Sequence, residues 1–306
     1  MGAIGIVVVN YASSELIRAN LDVATSDQVR VVVVDNFSSE AERASITAIT
    51  EQQGWTLVAM PDNRGFGPGV NAGVRAASEL GCACFLLLNP DCVVSGATVE
   101  QLRLATLADE QALVAPLLVD TDGRVVSSGN TLNLLDGRIR SLRSTQAHPD
   151  PRARPVTWLT AACLTVHRSL WERTGGFDET YFMYWEDVDF TFRALEVGGH
   201  VVVRDDLTGV HDQGGTQGPR RGRAKSDLYY FYNCRNRMLF AVQHLGSRDV
   251  ARWWLRTPRV SWEILLHGGR RQLVESPRPA WSAARGGLAG MGLAGVRVVR
   301  RALRRR

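Results

Sequence analysis

The chain has 306 residues, 45% apolar and 22% charged, an ordinary globular composition with material for a buried core in one large or two small domains. No run reaches the roughly 18 uninterrupted apolar residues of a membrane span, and the N-terminus has neither a basic region nor a small-residue cleavage site. These features argue against a spanning segment and a signal peptide, so a cytoplasmic location is expected. The net charge of +5 is uneven: residues 251–306 sum to +11, with 13 Arg against Glu263 and Glu275, which leaves −6 for residues 1–250. The five cysteines (Cys82, Cys84, Cys92, Cys163, Cys234) include no C-x-x-C pair and read as buried thiols in a reducing compartment.

In chain order, residues 4–9 form an almost purely apolar strand, and a helix follows over about 13–24 with Ser13 or Ser14 as its cap. A second strand, 31–34, stops at Asp35. A helix over about 39–53 ends at Gly54, and residues 56–60 make a third strand. Pro68 opens a helix that runs to Gly81, with Pro in its first turn and Gly past its end. A fourth strand, 84–88, ends in Asn89-Pro90-Asp91. This alternation predicts an α/β fold with a mostly parallel central sheet flanked by helices. Residues 120–155 read as hairpins and loops, 158–167 as a strand, 186–197 as a helix, 201–203 as a strand and 226–245 as a long helix. Beyond it, Pro258, Pro277 and Pro279 are expected to cut a basic helical tail into short pieces. The expected division is a catalytic domain over 1–245, with halves 1–118 and 119–245, and an extension over 246–306.

Ligands of open α/β sheets sit at the carboxyl ends of the strands. There the sequence offers Asn10-Tyr11, Asp35-Asn36, Asp62-Asn63 and Asn89-Pro90-Asp91. Asp and Asn also make ordinary turns, but their recurrence after successive strands favours a ligand site. Gly65-x-Gly67-x-Gly69, running into Asn71, lets backbone approach a ligand closely beside a helix N-terminus, yet lacks the Lys-Ser/Thr ending of a P-loop. Asp91 at a buried strand end suits a hard divalent cation, with His211 as a second contact. In Glu186-Asp-Val-Asp189, a carboxylate at a helix start is held ionised and ready to act as a base. The aromatics before it, among them Tyr184 and Trp185, suit a sugar-stacking wall or simple core packing.

Taken in order, residues 8–11 (Val-Val-Asn-Tyr), 34–39 (Val-Asp-Asn-Phe-Ser-Ser), 63–67 (Asn-Arg-Gly-Phe-Gly), 88–91 (Leu-Asn-Pro-Asp), 175–189 and His211 resemble the family-2 glycosyltransferases of GT-A fold, in particular their bacterial rhamnosyltransferase-like branch. The resemblance covers residues 4 to about 245. It implies an inverting transferase that takes a sugar from a nucleotide-diphosphate donor, best guessed as dTDP-rhamnose, to an acceptor hydroxyl on a glycan, lipid-linked or small-molecule acceptor. The implied donor side is Asn10, Tyr11, Asp35, Asn36, Asn63, Gly65, Asn71, Asn89 and Asp91. Asp91 and His211 would bind Mg or Mn, and Asp187 would be the catalytic base. Trp158, Tyr184, Trp185 and Glu186 would meet the acceptor. Tyr230, Arg235 and Asn236 match a stretch that closes over the site in relatives. The family's metal motif usually begins with Asp, where this chain has Asn89.

Two other readings compete. A sugar-phosphate nucleotidyltransferase would want a Gly-rich Lys or Arg loop near the first strand, which residues 10–20 lack. A non-catalytic nucleotide-sugar or glycan-binding protein fits Asn89 but not an intact Asp187. The tail interleaves Arg with Trp253, Trp254, Trp262 and Trp281, which favours an anionic membrane surface over nucleic acid and hence a peripheral position on the inner face of the cell membrane.

Overall fold

The computed structural model describes residues 2–23, 25–143, 150–211 and 225–303. The first half runs β1 (Ala3–Asn10), α1 (Ser14–Asn20), β2 (Val29–Asp35), α2 (Glu40–Gln53), β3 (Thr56–Ala59), α3 (Phe66–Glu79) and β4 (Cys82–Leu88). Helix α1 is shorter than expected, and residue 24 lies outside the described residues. Helix α2 is bounded as its residues dictate: the Ser39 hydroxyl accepts from the Glu42 N–H, and Gly54 takes the left-handed backbone that closes the helix. Helix α3 begins two residues before Pro68, so Pro68 still falls in the first turn.

The chain continues through β5 (Cys92–Val93), α4 (Gly96–Ala108), β6 (Ala112–Val119), β7 (Val125–Ser127), β8 (Asn130–Asn133), β9 (Arg138–Ser141), β10 (Pro155–Trp158), β11 (Cys163–His167), α5 (Arg168–Thr174), α6 (Glu186–Glu196) and β12 (His200–His211). The main sheet has the order β3-β2-β1-β4-β11-β6-β12-β5, with β7 on β6. Strands β3, β2, β1 and β4 are all parallel, so their carboxyl ends share one edge. Strand β11 runs antiparallel between β4 and β6. The run 158–167, read as one strand, is in fact two. β10 belongs to a separate three-stranded sheet, β10-β8-β9, and β11 to the main one. The link 159–162 crosses between the sheets; both pieces are apolar, so no periodicity marks the break. Residues 144–149, within the expected hairpin region, lie outside the described residues.

Alternation along each strand divides the core in two. Ile4, Ile6 and Val8 pack with Ile17, Ile46 and Leu102 from α1, α2 and α4. Val7, Val9, Val32 and Val34 pack with Val70 and Val74 of α3 and with Trp171 and Phe190 of α5 and α6. A sheet covered on both faces explains why its strands read as unbroken apolar runs. Helix α3 sits unusually close to the sheet: a Cβ on Gly73 would lie 2.4 Å from Val7 Cγ1 and 2.9 Å from Val34 Cγ2.

The last elements are α7 (Asp227–His244), α8 (Ser247–Leu266), α9 (Gln272–Glu275) and α10 (Arg278–Leu303), with α8 and α10 packed on α7. Pro277 does stand at a break, between α9 and α10, but the other two prolines do not cut the region as expected. Pro258 lies inside α8 on its exposed side, where water can serve the carbonyl its missing N–H leaves free. Pro279 falls in the first turn of α10, where the N–H has no helical partner anyway. Among the described residues, no helix is long and apolar enough to cross a membrane, and all five cysteines are buried and free.

The contact at Gly73 sets the sign of a substitution. In an open helix, Gly→Ala stabilises by about 0.5–1 kcal/mol. Gly292, in α10 with nothing within 4 Å of a built Cβ, should show that gain. Gly73→Ala should instead destabilise by roughly 1–3 kcal/mol, because α3 must lift off β1 and β2. Urea unfolding of the two variants measures both.

Candidate active site

At the shared edge, Asn10 and Asp35 are register partners on β1 and β2, and both are fully buried. Asn10 Oδ1 accepts from the Ser13 N–H and hydroxyl, while its Nδ2 has no partner among the described residues. Asp35 Oδ2 accepts from Arg43 Nε at 2.6 Å, and its Oδ1 is likewise unpartnered. One donor and one acceptor thus stand unsatisfied on neighbouring strand ends, the condition a bound nucleoside would relieve. Tyr11 beside them is exposed.

The other expected donor-side residues hold the chain itself. Asn36 Nδ2 donates to Asn63 Oδ1 and to the Gly65 carbonyl, both at 3.0 Å, and its Oδ1 accepts from the Arg64 N–H. Asn71 Nδ2 donates to the Phe177 carbonyl, and its Oδ1 accepts from the Phe177 N–H. The glycines admit close approach, but to protein: a Cβ on Gly65 would lie 2.2 Å from the Phe182 carbonyl oxygen. These contacts fasten segment 177–182 to the donor edge.

Asp91 follows β4 through the turn at Asn89 and leads into β5, which pairs with the end of β12. That pairing brings His211 Nε2 to 3.2 Å from Asp91 Oδ1, both side chains largely buried. The Gly-rich stretch after His211 lies outside the described residues. Among the described residues no cluster of three His, Cys, Asp or Glu could hold a metal. The pair nonetheless offers one carboxylate and one imidazole, a donor set that fits a divalent cation whose other ligands are diphosphate oxygens and water.

Asp187 is tied to the same edge by two hydrogen bonds. The Asn89 N–H donates to the Ala162 carbonyl at 2.9 Å, and the neighbouring Ala161 N–H donates to Asp187 Oδ2 at 3.4 Å. The Val188 N–H meets Asp187 Oδ1 at 2.8 Å. Burial pushes the Asp187 carboxyl up to about 6, against the lowering effect of these N–H donors and the Thr160 hydroxyl. Glu186 is raised further, first by burial and then by the Asp187 charge. Immediately before them, Tyr184 and Trp185 both have left-handed backbone, φ 64° and 77°. Fully buried Asn236 on α7 donates its Nδ2 to the Met183 carbonyl at 3.0 Å and the Tyr184 carbonyl at 2.8 Å, which holds that strained pair in place.

Trp158, Tyr184, Trp185, Glu186 and Asp187 all line one cavity of about 590 Å³. Buried polar atoms without partners among the described residues occur on four of its lining residues: Trp158 Nε1, Trp185 Nε1, Glu186 Oε2 and Arg237 Nε.

The description of glycosyl transferase family 2 matches residues 5–171, more than half of the chain. The chain belongs to that family. It is 29% identical over 277 residues to the N-acetylglucosaminyl-diphospho-decaprenol L-rhamnosyltransferase of Mycobacterium tuberculosis, covering 82% of this chain and 88% of that protein. It is 27% identical over 253 residues to the low-salt glycan biosynthesis hexosyltransferase Agl10 of Haloferax volcanii, covering 81% and 78%. Its fold is similar to that of the mannosyltransferase PcManGT from Pyrobaculum calidifontis, solved with GDP-Man and Mn2+, at TM-score 0.55 and 17% identity over 96% of this chain and 86% of that one. The chain is therefore a family-2 glycosyltransferase with the GT-A fold its motifs implied.

Several residues at the glycosyltransferase's cavity carry no sequence signal of their own. Thr160 and Ala161 reach Asp187 only because 159–162 crosses between sheets. Arg138, Glu263 and His267 line the cavity from β9 and the end of α8. Of the three matched residues on α7, Asn236 supports the site, whereas the Tyr230 hydroxyl donates to Gln272 Oε1 at 2.6 Å beneath α8 and α9. Arg235 donates to Asn236 Oδ1 at 2.5 Å. Asn236→Ala should cost about 1–3 kcal/mol for each carbonyl it leaves unpaired. It should also shift Trp185 fluorescence as the left-handed pair relaxes; urea unfolding with fluorescence detection reads both.

Proposed function

We propose that this glycosyltransferase transfers a sugar with inversion from a nucleotide-diphosphate donor to an acceptor hydroxyl, with Asp187 as the base and Asp91 and His211 as holders of a divalent cation. The observation that carries the reading is the bonded path Asn89–Ala162–Ala161–Asp187, which keeps the base and the diphosphate side on one edge. Asn10 and Asp35, each with an unsatisfied polar atom, are assigned to the nucleoside. The L-rhamnosyltransferase relative supports L-rhamnose as the transferred sugar and a lipid-linked acceptor, and the dTDP carrier rests on the resemblance of the motifs alone.

The chemistry is one in-line displacement. Asp187 takes the acceptor proton, and the acceptor oxygen bonds to the anomeric carbon from the face opposite the diphosphate. The bond to the diphosphate oxygen breaks with its electron pair, so configuration inverts. A divalent cation at Asp91 and His211 would offset the charge gained by the departing diphosphate. A carboxylate moved up to about 6 by burial is a better proton acceptor than an ordinary one, yet still ionised at neutral pH.

Because the base works deprotonated, kcat/KM for the acceptor should rise with pH through about 6 and level off above it. Asp187→Asn should lower turnover by roughly 10²–10⁴-fold while leaving dTDP affinity unchanged by calorimetry. Near-normal turnover in that variant sinks the assignment.

The exposed face of the C-terminal helices carries Trp254, Trp262, Trp281, Leu255 and Leu288 among arginines, and it is read as a docking face for anionic lipid. Trp253 takes no part, since it is fully buried on the inner face of α8. Co-sedimentation with phosphatidylglycerol vesicles should fall in Trp254→Ala/Trp262→Ala/Trp281→Ala and at high salt; unchanged binding removes the idea.

A further inference from the structure

Two distant parts of the chain build the cavity. Asp187 and its aromatic neighbours supply one part, and Val260, Glu263, Ile264 and His267 supply another from α8 and its end. Helix α8 is firmly seated there. The Trp253 indole donates to the Leu134 carbonyl at 3.0 Å, and the buried Arg237 guanidinium lies 4.6 Å over its ring.

The polar groups on this part are fixed in place. Glu263 accepts from both Arg138 Nε, at 2.9 Å, and a second Arg138 nitrogen, and from Arg259 Nε at 3.2 Å, so an ion pair ties β9 to α8. The Tyr229 hydroxyl meets His267 Nδ1 at 3.2 Å, which leaves Nε2 as the ring's other polar atom. The Tyr229 ring sits edge-on to Tyr184 at 5.3 Å. Trp158, Trp185, Glu186 and Arg237 each contribute a buried polar atom without a partner among the described residues. Aromatic rings for a C–H face, a fixed carboxylate–guanidinium pair and an imidazole nitrogen together match one ligand chemistry, a pyranose with neighbouring hydroxyls.

We propose that α8 carries the recognition surface for the acceptor's terminal pyranose, with Glu263, held by Arg138, and His267 hydrogen-bonding its hydroxyls. This rests on the reading of Asp187 as the base on the acceptor side. Acceptor choice is then set by α8 and its end together with the aromatic wall around Asp187.

The test uses the full chain with methyl β-glucopyranoside, β-galactopyranoside, α-mannopyranoside and N-acetyl-β-glucosaminide, titrated by NMR in the presence of dTDP. Glu263→Gln and His267→Gln are compared with the unaltered protein; His267 lies past the last turn of α8 and carries no ion pair, so its variant guards against misfolding. The preferred glycoside should bind about tenfold more weakly in each variant. The ratio between the epimeric glucoside and galactoside should also change, which a merely loosened fold would leave alone. The proposal is overturned if no glycoside binds the unaltered protein, or if both variants keep affinity within roughly threefold and the same epimer ratio. Should it fail while Asp187→Asn still abolishes transfer, the enzyme reading stands. Should glycosides bind through α8 while Asp187→Asn turns over normally, the binding surface stands and the base assignment falls.

Discussion

The Asn236 carboxamide holds Tyr184 and Trp185 in consecutive left-handed conformations, and the placement of Asp187 follows from that hold. Each such residue costs on the order of 1–3 kcal/mol. The turn they make starts α6 abruptly, with Glu186 and Asp187 as its first residues. The N–H groups of that first turn and of Ala161 then surround the Asp187 carboxylate. Asn71, Gly65 and Phe66 anchor the preceding stretch from the opposite side, through Phe177 and Phe182. The segment 177–187 is thus fixed by contacts to both halves of the molecule, as the role proposed for Asp187 requires.

The sheet contributes by bringing strand ends together. Because β3, β2, β1 and β4 are parallel, every carboxyl end in that half faces one edge. The antiparallel β11 starts at that edge beside the end of β4, which puts the residues just before it, Ala161 and Ala162, next to Asn89. The electrostatics divide accordingly. Asp35 is neutralised by Arg43, and Asp91 stands beside an imidazole. Asp187 has no cation paired with it among the described residues, only N–H groups, a hydroxyl and the Glu186 carboxyl close by, so burial dominates and raises it. That contrast is the basis of the proposed division between ligand-holding carboxylates and the base.

The C-terminal helices look in two directions. Val260 and Ile264 of α8 line the cavity, while Trp254, Leu255 and Trp262 are exposed. Basic composition alone did not distinguish these faces. Trp253 and Trp254 are adjacent in the chain, yet one is fully buried and the other exposed, because 100° of helical turn separates them.

The strand-end carboxylates and amides were legible from the sequence because a buried parallel strand is a short apolar run with an abrupt polar stop. The same holds for α2, whose Ser39 and Gly54 ends are local chemistry, and for the ordered motifs up to His211. Tertiary structure alone decided that 158–167 serves two sheets, that Pro258 leaves α8 unbroken, that Gly65 makes room for Phe182, and that Arg138, Glu263 and His267 join Asp187 around one cavity. The physical reason is common to all of these. Strand pattern, caps and turns depend on neighbours in the chain, whereas a sheet crossing, a close approach or a cavity wall depends on which distant surface packs against the residue, and nothing in the local order of side chains encodes that.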